Sequence, residues 1–389
     1  MSVKKTAISC YLFLGLISQL QLGCGSDSNS SKDMDIDAPK IENTTQRGFV
    51  FAALSPDQSI GNSSIFRYDF KNGKITKILV GESSNPDLFL HESQVILFNR
   101  HDTLKNYKLF DPFADEINPK TEELPLITGD PIDVTGIGSD QLLLASPQSK
   151  GLQTLNTKTG TIQTLTFTKE FSSKSLRPLG LKRSGQNIYV IHSGLEISAD
   201  GLGISDGSQQ VYSATINGNS LDFNDLDPQT PSVDGSPLTA TFPVYSSTLQ
   251  NDEFKILGLC SKQIQNCKSG IDMIQRGQAK KIGTYEPQAA QYVDQLQPSD
   301  KGDRLWGLVS NAQDAYVVAQ IDTTNGLITE ELHRFTQKRI FGVKFEPESR
   351  TLFVGDADGD KSSLLVFRDG QKIASVDING VFYRGVFIR

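Results

Sequence analysis

Basic clusters, paired histidines, helical periodicity and long apolar runs are all missing from this chain. Lysine and arginine total 38 against 45 aspartates and glutamates, giving a formal charge of −7 and a pI near 5.3. A surface without clustered Lys and Arg does not hold a phosphate backbone, so nucleic acid is excluded as a partner class. The only histidines are His91, His101, His192 and His333, and no two of them make the paired motif of a zinc site. No glycine-rich loop of the phosphate-cradling kind occurs. Apolar residues hardly ever recur at helical spacing; "PQAAQYVDQL" (287–296) is the one ambiguous stretch.

What is present begins at the N-terminus. Lys4 and Lys5 precede an apolar run from Ala7 to Leu22 that is short and interrupted by Gln19 and Gln21. That is the anatomy of an export signal rather than of a membrane-spanning helix. The small residue Gly23 precedes Cys24, and a polar Gly-Ser-Asp tail follows. This border resembles the lipobox of bacterial lipoproteins, with Gln21 standing where that family usually has leucine. The resemblance implies cleavage after residue 23 and acylation of Cys24, which then anchors the protein in the membrane. Gly25 is not the aspartate that retains enterobacterial lipoproteins at the inner membrane, so the resemblance points to the outer membrane. An ordinary cleaved signal with Cys24 as a bystander is the competing reading. Residues 24–46 are rich in Ser, Asp, Asn and Lys and are expected to form a flexible linker. Residues 47–389 are then left to fold.

Of the four cysteines, Cys10 lies in the signal and Cys24 takes the lipid, leaving Cys260 and Cys267. In an oxidising compartment these two are expected to pair, closing a short loop worth roughly 2.5 kcal/mol. The rival is a metal site, but no histidine lies near them in sequence.

The folded part reads as all-β. A strand, a glycine turn and a second strand recur as "IFRYDFKNGKITKIL" (65–79), "LQTLNTKTGTIQTLTF" (152–167), "QVYSATINGNSLDF" (210–223), "GIDMIQRGQAKKIG" (270–283), "YVVAQIDTTNGLITEEL" (316–332) and "SLLVFRDGQKIASVDI" (363–378). Gly73, Gly160, Gly218, Gly277, Gly326 and Gly370 fall where such a hairpin needs positive φ. A further copy, "YKLFDPFADEINPK" (107–120), lacks the glycine. Two more strand-like runs precede each hairpin, as in "PIDVTGIGSDQLLLAS" (131–146), "PLGLKRSGQNIYVIHS" (178–193) and "FGVKFEPESRTLFVGD" (341–356). Four antiparallel strands, A to D, repeating about every 45 to 50 residues, make the blade of a β-propeller. The chain ends on "YRGVFIR", an A strand with no successor, and the domain begins on "RGFVFAAL", a B strand with no predecessor. Together they complete one blade and close the ring, for an expected seven blades. Six or eight blades, or two stacked β-sandwiches, are the alternatives. The repeats resemble WD40-like and quinoprotein-like propellers over most of 47–389, in degenerate form. No Trp-Asp pair ends strand C, and Trp306 is the only tryptophan.

No catalytic constellation emerges. "GISDG" (203–207) matches a nucleophile elbow around Ser205 but lies in a Gly, Ser and Asp loop rather than a strand-turn-helix. In "DADGDKSS" (356–363), Asp356, Asp358 and Asp360 alternate like calcium-loop ligands, yet Lys361 takes the glycine position and Phe367 the glutamate position. A solvated acidic turn and a weak calcium site are the two readings, and no other cofactor is expected. His192 and Trp306 read as core residues. The long connections are 194–208, 260–267, 356–363 and 225–238, all assigned to the end where B-to-C and D-to-A links emerge. That face carries Asp200, Asp206, Asp225, Asp227, Asp234, Asp356, Asp358 and Asp360. Elaborated loops of this kind are often functional. The expectation is a non-catalytic, lipid-anchored binding module of the bacterial envelope that holds a protein or glycan on this face. Its layout resembles that of the propeller lipoprotein of the outer-membrane barrel-assembly machinery. The rival is a propeller enzyme, a calcium-dependent hydrolase or lactonase.

Overall fold

The computed structural model describes residues 35–54, 63–82, 86–99, 106–114, 117, 119–123, 131–146, 151–165, 167, 169–172, 176–193, 195–197, 203–205, 208–218, 220–239, 245–246, 253–258, 270–283, 293–298, 304–310, 316–322, 328–334, 342–358 and 361–389. Among them, seven antiparallel sheets each hold four strands in A-B-C-D order, and a separate two-stranded ribbon stands apart. The chain is a β-propeller. Its first blade is assembled from both ends: Gly48–Leu54 lies between Ser63–Asp69 and the C-terminal Val381–Ile388. The register runs from Gly48 opposite Ile388 to Leu54 opposite Val381, with one irregularity beside Ala52. Such closure leaves neither chain-end strand as a free half-blade, and a pair of stacked sandwiches would not require it.

The inner strands of the blades after the first are Pro86–His91, Asp133–Gly138, Pro178–Ser184, Tyr245–Ser246, Val293–Pro298 and Val343–Glu346. Each touches the next around the ring, Val343–Glu346 meeting Val381–Ile388, with the sparsest contact among the described residues at blades 4 and 5. There Tyr189, Ile191 and Val211 join Phe254, Ile256 and Ile274 in one apolar cluster. The core is accordingly divided into wedges between neighbouring blades. Phe49, Phe51 and Phe382 of blade 1 pack on Phe353 and Val366 of blade 7, Ile96 and Phe98 on Leu142 and Leu144, and Trp306 and Val318 on Val343 and Phe345. Trp306 is thus core, as its sequence context suggests.

The hairpin glycines sit where the repeats require. Gly73, Gly160, Gly218, Gly277 and Gly370 have φ of 69°, 70°, 58°, 83° and 79°, and Gly326 lies outside the described residues. Gly277 is held doubly, since a Cβ there would approach Ser213 to 2.8 Å. In the copy without glycine, Asp111 replaces it by accepting the Phe113 N–H at 2.8 Å, an Asx turn.

Two segments differ from expectation. The last part of the supposed linker is folded: Asp35–Asp37 pairs with Lys74–Thr76 as a fifth, outer strand of blade 1. Beyond it, Ala38 donates to Gly73 O, Ile41 to Phe70 O, and Tyr68 Oη to Pro39 O. Ile41 is buried in the wedge between blades 1 and 7, and Thr45 binds Glu348 of blade 7. A segment poor in apolar residues is held here by backbone pairing and one buried isoleucine, neither of which composition reports. The second difference is "DADGDKSS". Strands Thr351–Asp358 and Lys361–Arg368 pair as far as Asp358 opposite Lys361, so this is a tight hairpin and not a long loop.

Candidate functional site

Blade 4 carries additions that a four-stranded sheet does not need. Its B-to-C connection holds the ribbon, in which Leu195–Ile197 pairs with Gly203–Ser205. Ser205 therefore ends a short ribbon strand, which is not the setting of a nucleophile elbow. Below the ribbon, His192 is 1% exposed. Its Nδ1 accepts the Arg177 N–H at 2.9 Å, so the proton is on Nε2, which faces Ser208 Oγ at 3.3 Å. That is a satisfied core histidine.

The second addition interrupts the outer strand. Ser220–Phe223 and Ser236–Pro237 both pair with Gln210–Asn217, and residues 224–235 leave the sheet between them. This excursion therefore belongs to the blade edge and not to the link to blade 5, correcting the assignment of 225–238. It is tied down from within. Asp225 pairs with Lys169 at 2.9 Å and accepts the N–H groups of Asp227 and Asp234, both at 3.2 Å. The Lys169 hydrogen bond holds the Asp225 carboxyl below its ordinary value. Asp227 accepts the Gln229 N–H, and Asp234 the Thr230 hydroxyl at 2.6 Å. Underneath, Phe171 meets Tyr212 and Phe223 at 5.0 Å each, with Phe167 at 5.1 Å. Leu226 stays 47% exposed on top.

The eight acidic candidates are thus not one free cluster. Asp225, Asp227 and Asp234 shape the excursion, while Asp356 of blade 7 accepts the His333 Nε2–H of blade 6 at 3.1 Å. Asp358 ends its strand. Asp200, Asp206, Asp360, Cys24, Cys260 and Cys267 lie outside the described residues. Among the described residues no group of three His, Cys, Asp or Glu side chains could hold a metal.

The inner strands supply charges that the loop-centred sequence reading passes over. Arg384 of blade 1 forms an ion pair with Asp87 of blade 2, which is 1% exposed. Burial lowers the Arg384 guanidinium to about 10. Asp133 of blade 3 accepts the N–H groups of Leu181 at 2.8 Å and Val134 at 2.9 Å. Burial pushes its carboxyl up, against the opposing pull of Lys182. Lys344 of blade 7 has its Nζ 5.8 Å from the Phe387 ring centre, and burial together with the charge of Lys182 lowers it to about 8. The available signal was a charged residue within an apolar inner strand, as in "PDLFLH", "VKFE" and "VFYRGVFI".

The sequence matches no protein-family model and no curated protein. Solved structures do resemble it. A protein from Lactobacillus plantarum superposes with a TM-score of 0.54 at 12% identity, over 89% of this chain and all (100%) of that one. The periplasmic gluconolactonase of Pseudomonas aeruginosa gives 0.52 at 15% identity, over 88% and 99%. A quinoprotein alcohol dehydrogenase-like protein from Bacteroides thetaiotaomicron gives 0.52 at 11% identity, over 88% and 78%. At such identities the likeness is one of fold, and it is to quinoprotein-like and gluconolactonase-like β-propellers.

Proposed function

We propose that this protein is a non-catalytic binding module of the bacterial cell envelope. Cys24 carries the lipid that anchors it in the outer membrane, and blade 4 presents a surface for an envelope protein or glycan. The observation that carries this reading is the pair of additions on one blade, the ribbon and the braced 224–235 excursion. A blade needs neither for its own pairing, and the excursion is rigidified around an exposed Leu226. A rigid, elaborated loop on a regular scaffold is where binding residues concentrate. The n-region, h-region and Gly23-Cys24 border support the anchor, and likeness to a periplasmic fold relative agrees with an envelope address. Replacing residues 195–205 by a short turn and comparing partner capture from detergent-solubilised membranes tests the surface. Capture should fall with unchanged melting temperature, and equal capture would count against it.

A second reading, a propeller lactonase, is favoured by one observation: the carboxylates Asp87 and Asp133 stand on inner strands, of blades 2 and 3, in a gluconolactonase-like fold. Lactone hydrolysis abolished by Asp133→Asn, with or without added calcium, would support it over the binding role.

A further inference from the structure

We propose that the short-turn face of blade 1, together with the strap of residues 35–46 that crosses it, rests on an anionic phospholipid surface. This inference rests on acylation of Cys24 and fixes which way the propeller faces. Ten residues separate Cys24 from Asp35, the first described residue. Fully extended, that length of chain reaches at most about 40 Å. Asp35–Asp37 pairs with Lys74–Thr76, the start of the outer strand just after its hairpin turn. The strap then keeps to the end of the blades where A-to-B and C-to-D turns emerge. Ala38 donates to Gly73 O at 2.8 Å and Ile41 to Phe70 O at 3.0 Å, both in the C-to-D turn of blade 1. Lys40 O accepts the Arg368 guanidinium at 3.2 Å, beside the C-to-D turn of blade 7. Thr45 Oγ1 donates to Glu348 at 2.8 Å, in the A-to-B turn of blade 7. The Arg47 N–H reaches Ile388 O, and its carbonyl accepts the Phe70 N–H at 3.2 Å. A lipid on Cys24 therefore draws this face and this side of the ring toward the bilayer. Blade 4, three blades away in one direction and four in the other, is turned outward.

The charge of the face suits such a surface. Lys40, Arg47 and Lys71 are exposed, and none of them forms an ion pair among the described residues. Arg47 and Arg67 both stand over the Phe113 ring, 4.2 Å and 5.5 Å from its centre, and Arg67 donates to Pro112 O at 3.1 Å. The acids around them are engaged. Asp37 pairs with Lys74 at 2.6 Å and Asp369 with Arg350 at 2.9 Å. Asp69 accepts the N–H groups of Lys71 and Asn72, and Asp111 that of Phe113. Among the described acids of the strap and its turns, Glu42 is left exposed without such a partner. A protein of net charge −7 thus gathers four unpaired cations, Lys40, Arg47, Arg67 and Lys71, where its tether enters. Each such cation adds to attraction by anionic lipid headgroups, and a short tether keeps them at high effective concentration.

The acylated full-length protein can be placed in vesicles of phosphatidylethanolamine and phosphatidylglycerol that carry a spin-labelled headgroup lipid. A fluorescent amino acid replaces Asn72 on the blade 1 turn or Leu226 on blade 4. Quenching should be at least threefold stronger at position 72, and the difference should shrink when phosphatidylcholine replaces phosphatidylglycerol. The Cys24→Ser protein, which lacks the tether, should still co-sediment with the phosphatidylglycerol vesicles at low ionic strength. Lys40→Gln combined with Lys71→Gln should weaken that binding about fivefold for each charge removed. Both side chains are exposed, so the fold tolerates the change. Mass spectrometry of the parent reads acylation separately: a bare Cys24 refutes the anchor, while co-sedimentation still tests the face. Quenching equal at the two positions or stronger at 226, no co-sedimentation, or co-sedimentation unchanged in the double variant would overturn the proposal.

Discussion

Replacing Phe49 by alanine tests the closed ring where the two chain ends meet. The side chain is fully buried, and its ring lies 4.9 Å from Phe353, 5.0 Å from Phe387, 5.3 Å from Phe51 and 5.4 Å from Phe382. Those neighbours come from blade 7, the C-terminal strand and its own strand. Phe49 also covers Gly385 on the C-terminal strand, where a Cβ would come within 2.5 Å of the ring. A cavity opened here is walled by three strands that are fixed by their own pairing, so it cannot collapse. Truncating a buried phenylalanine costs about 3–5 kcal/mol, a large share of the roughly 5–15 kcal/mol that holds a domain folded. Urea unfolding followed by circular dichroism measures the loss. Leu144→Ala, in the wedge between blades 2 and 3, is the comparator, with an expected cost of about 2–5 kcal/mol. In a closed ring the two losses are comparable. If Phe49→Ala costs less than about 1 kcal/mol while Leu144→Ala keeps its full cost, the ends fray and the closure argument fails.

Other outcomes follow from single residues. Cys24→Ser should move the protein from the membrane to the soluble fraction, and retention with unchanged processing would contradict acylation. Lys344 has a folded value near 8, below its ordinary 10.5, so its penalty is absent above pH 10.5 and grows as pH falls toward 8. Measured against Lys344→Met, the parent should therefore gain stability between pH 8 and 10.5, by at most roughly 3 kcal/mol; a flat difference would refute the burial of that charge. Asp225→Ala removes the Lys169 pair and the acceptor of two N–H groups, and should speed amide exchange over residues 226–234 while leaving the melting temperature near the parent's.

The fold was legible in the sequence because propeller blades repeat their turn chemistry. Glycine at the hairpin position needs positive φ wherever it occurs, so five described turns could be placed from glycine alone. The unmatched strands at the two ends located the closure for the same reason, since an A strand without a B strand has to find one. Where local structure was inferred from composition, the outcome was poorer. Ser, Asp and Asn suggest solvated chain, yet 35–46 is fixed by edge pairing and Ile41, which a count of polar residues does not register. Asp225 and Asp234 are spaced like a free acidic face, and composition does not register that short acidic side chains also serve as acceptors for turn N–H and hydroxyl groups. Asp356 and Asp358 looked like a loop because alternation of acids does not reveal strand pairing across them. The inner-strand charges Lys182, Lys344 and Arg384 could have been noticed as breaks in apolar strands. Which neighbour each of them meets depends on blade order and register, and a single strand carries neither.

The binding claim is tested most directly by placing a photo-crosslinking amino acid at one of two exposed apolar positions in living cells. Leu226 is 47% exposed on the blade 4 excursion, and Ile373 is 42% exposed beside the minimal hairpin turn of blade 7. The account predicts a discrete envelope adduct from position 226 and none from position 373. Adducts from 373 alone, or the same adducts from both, would contradict it.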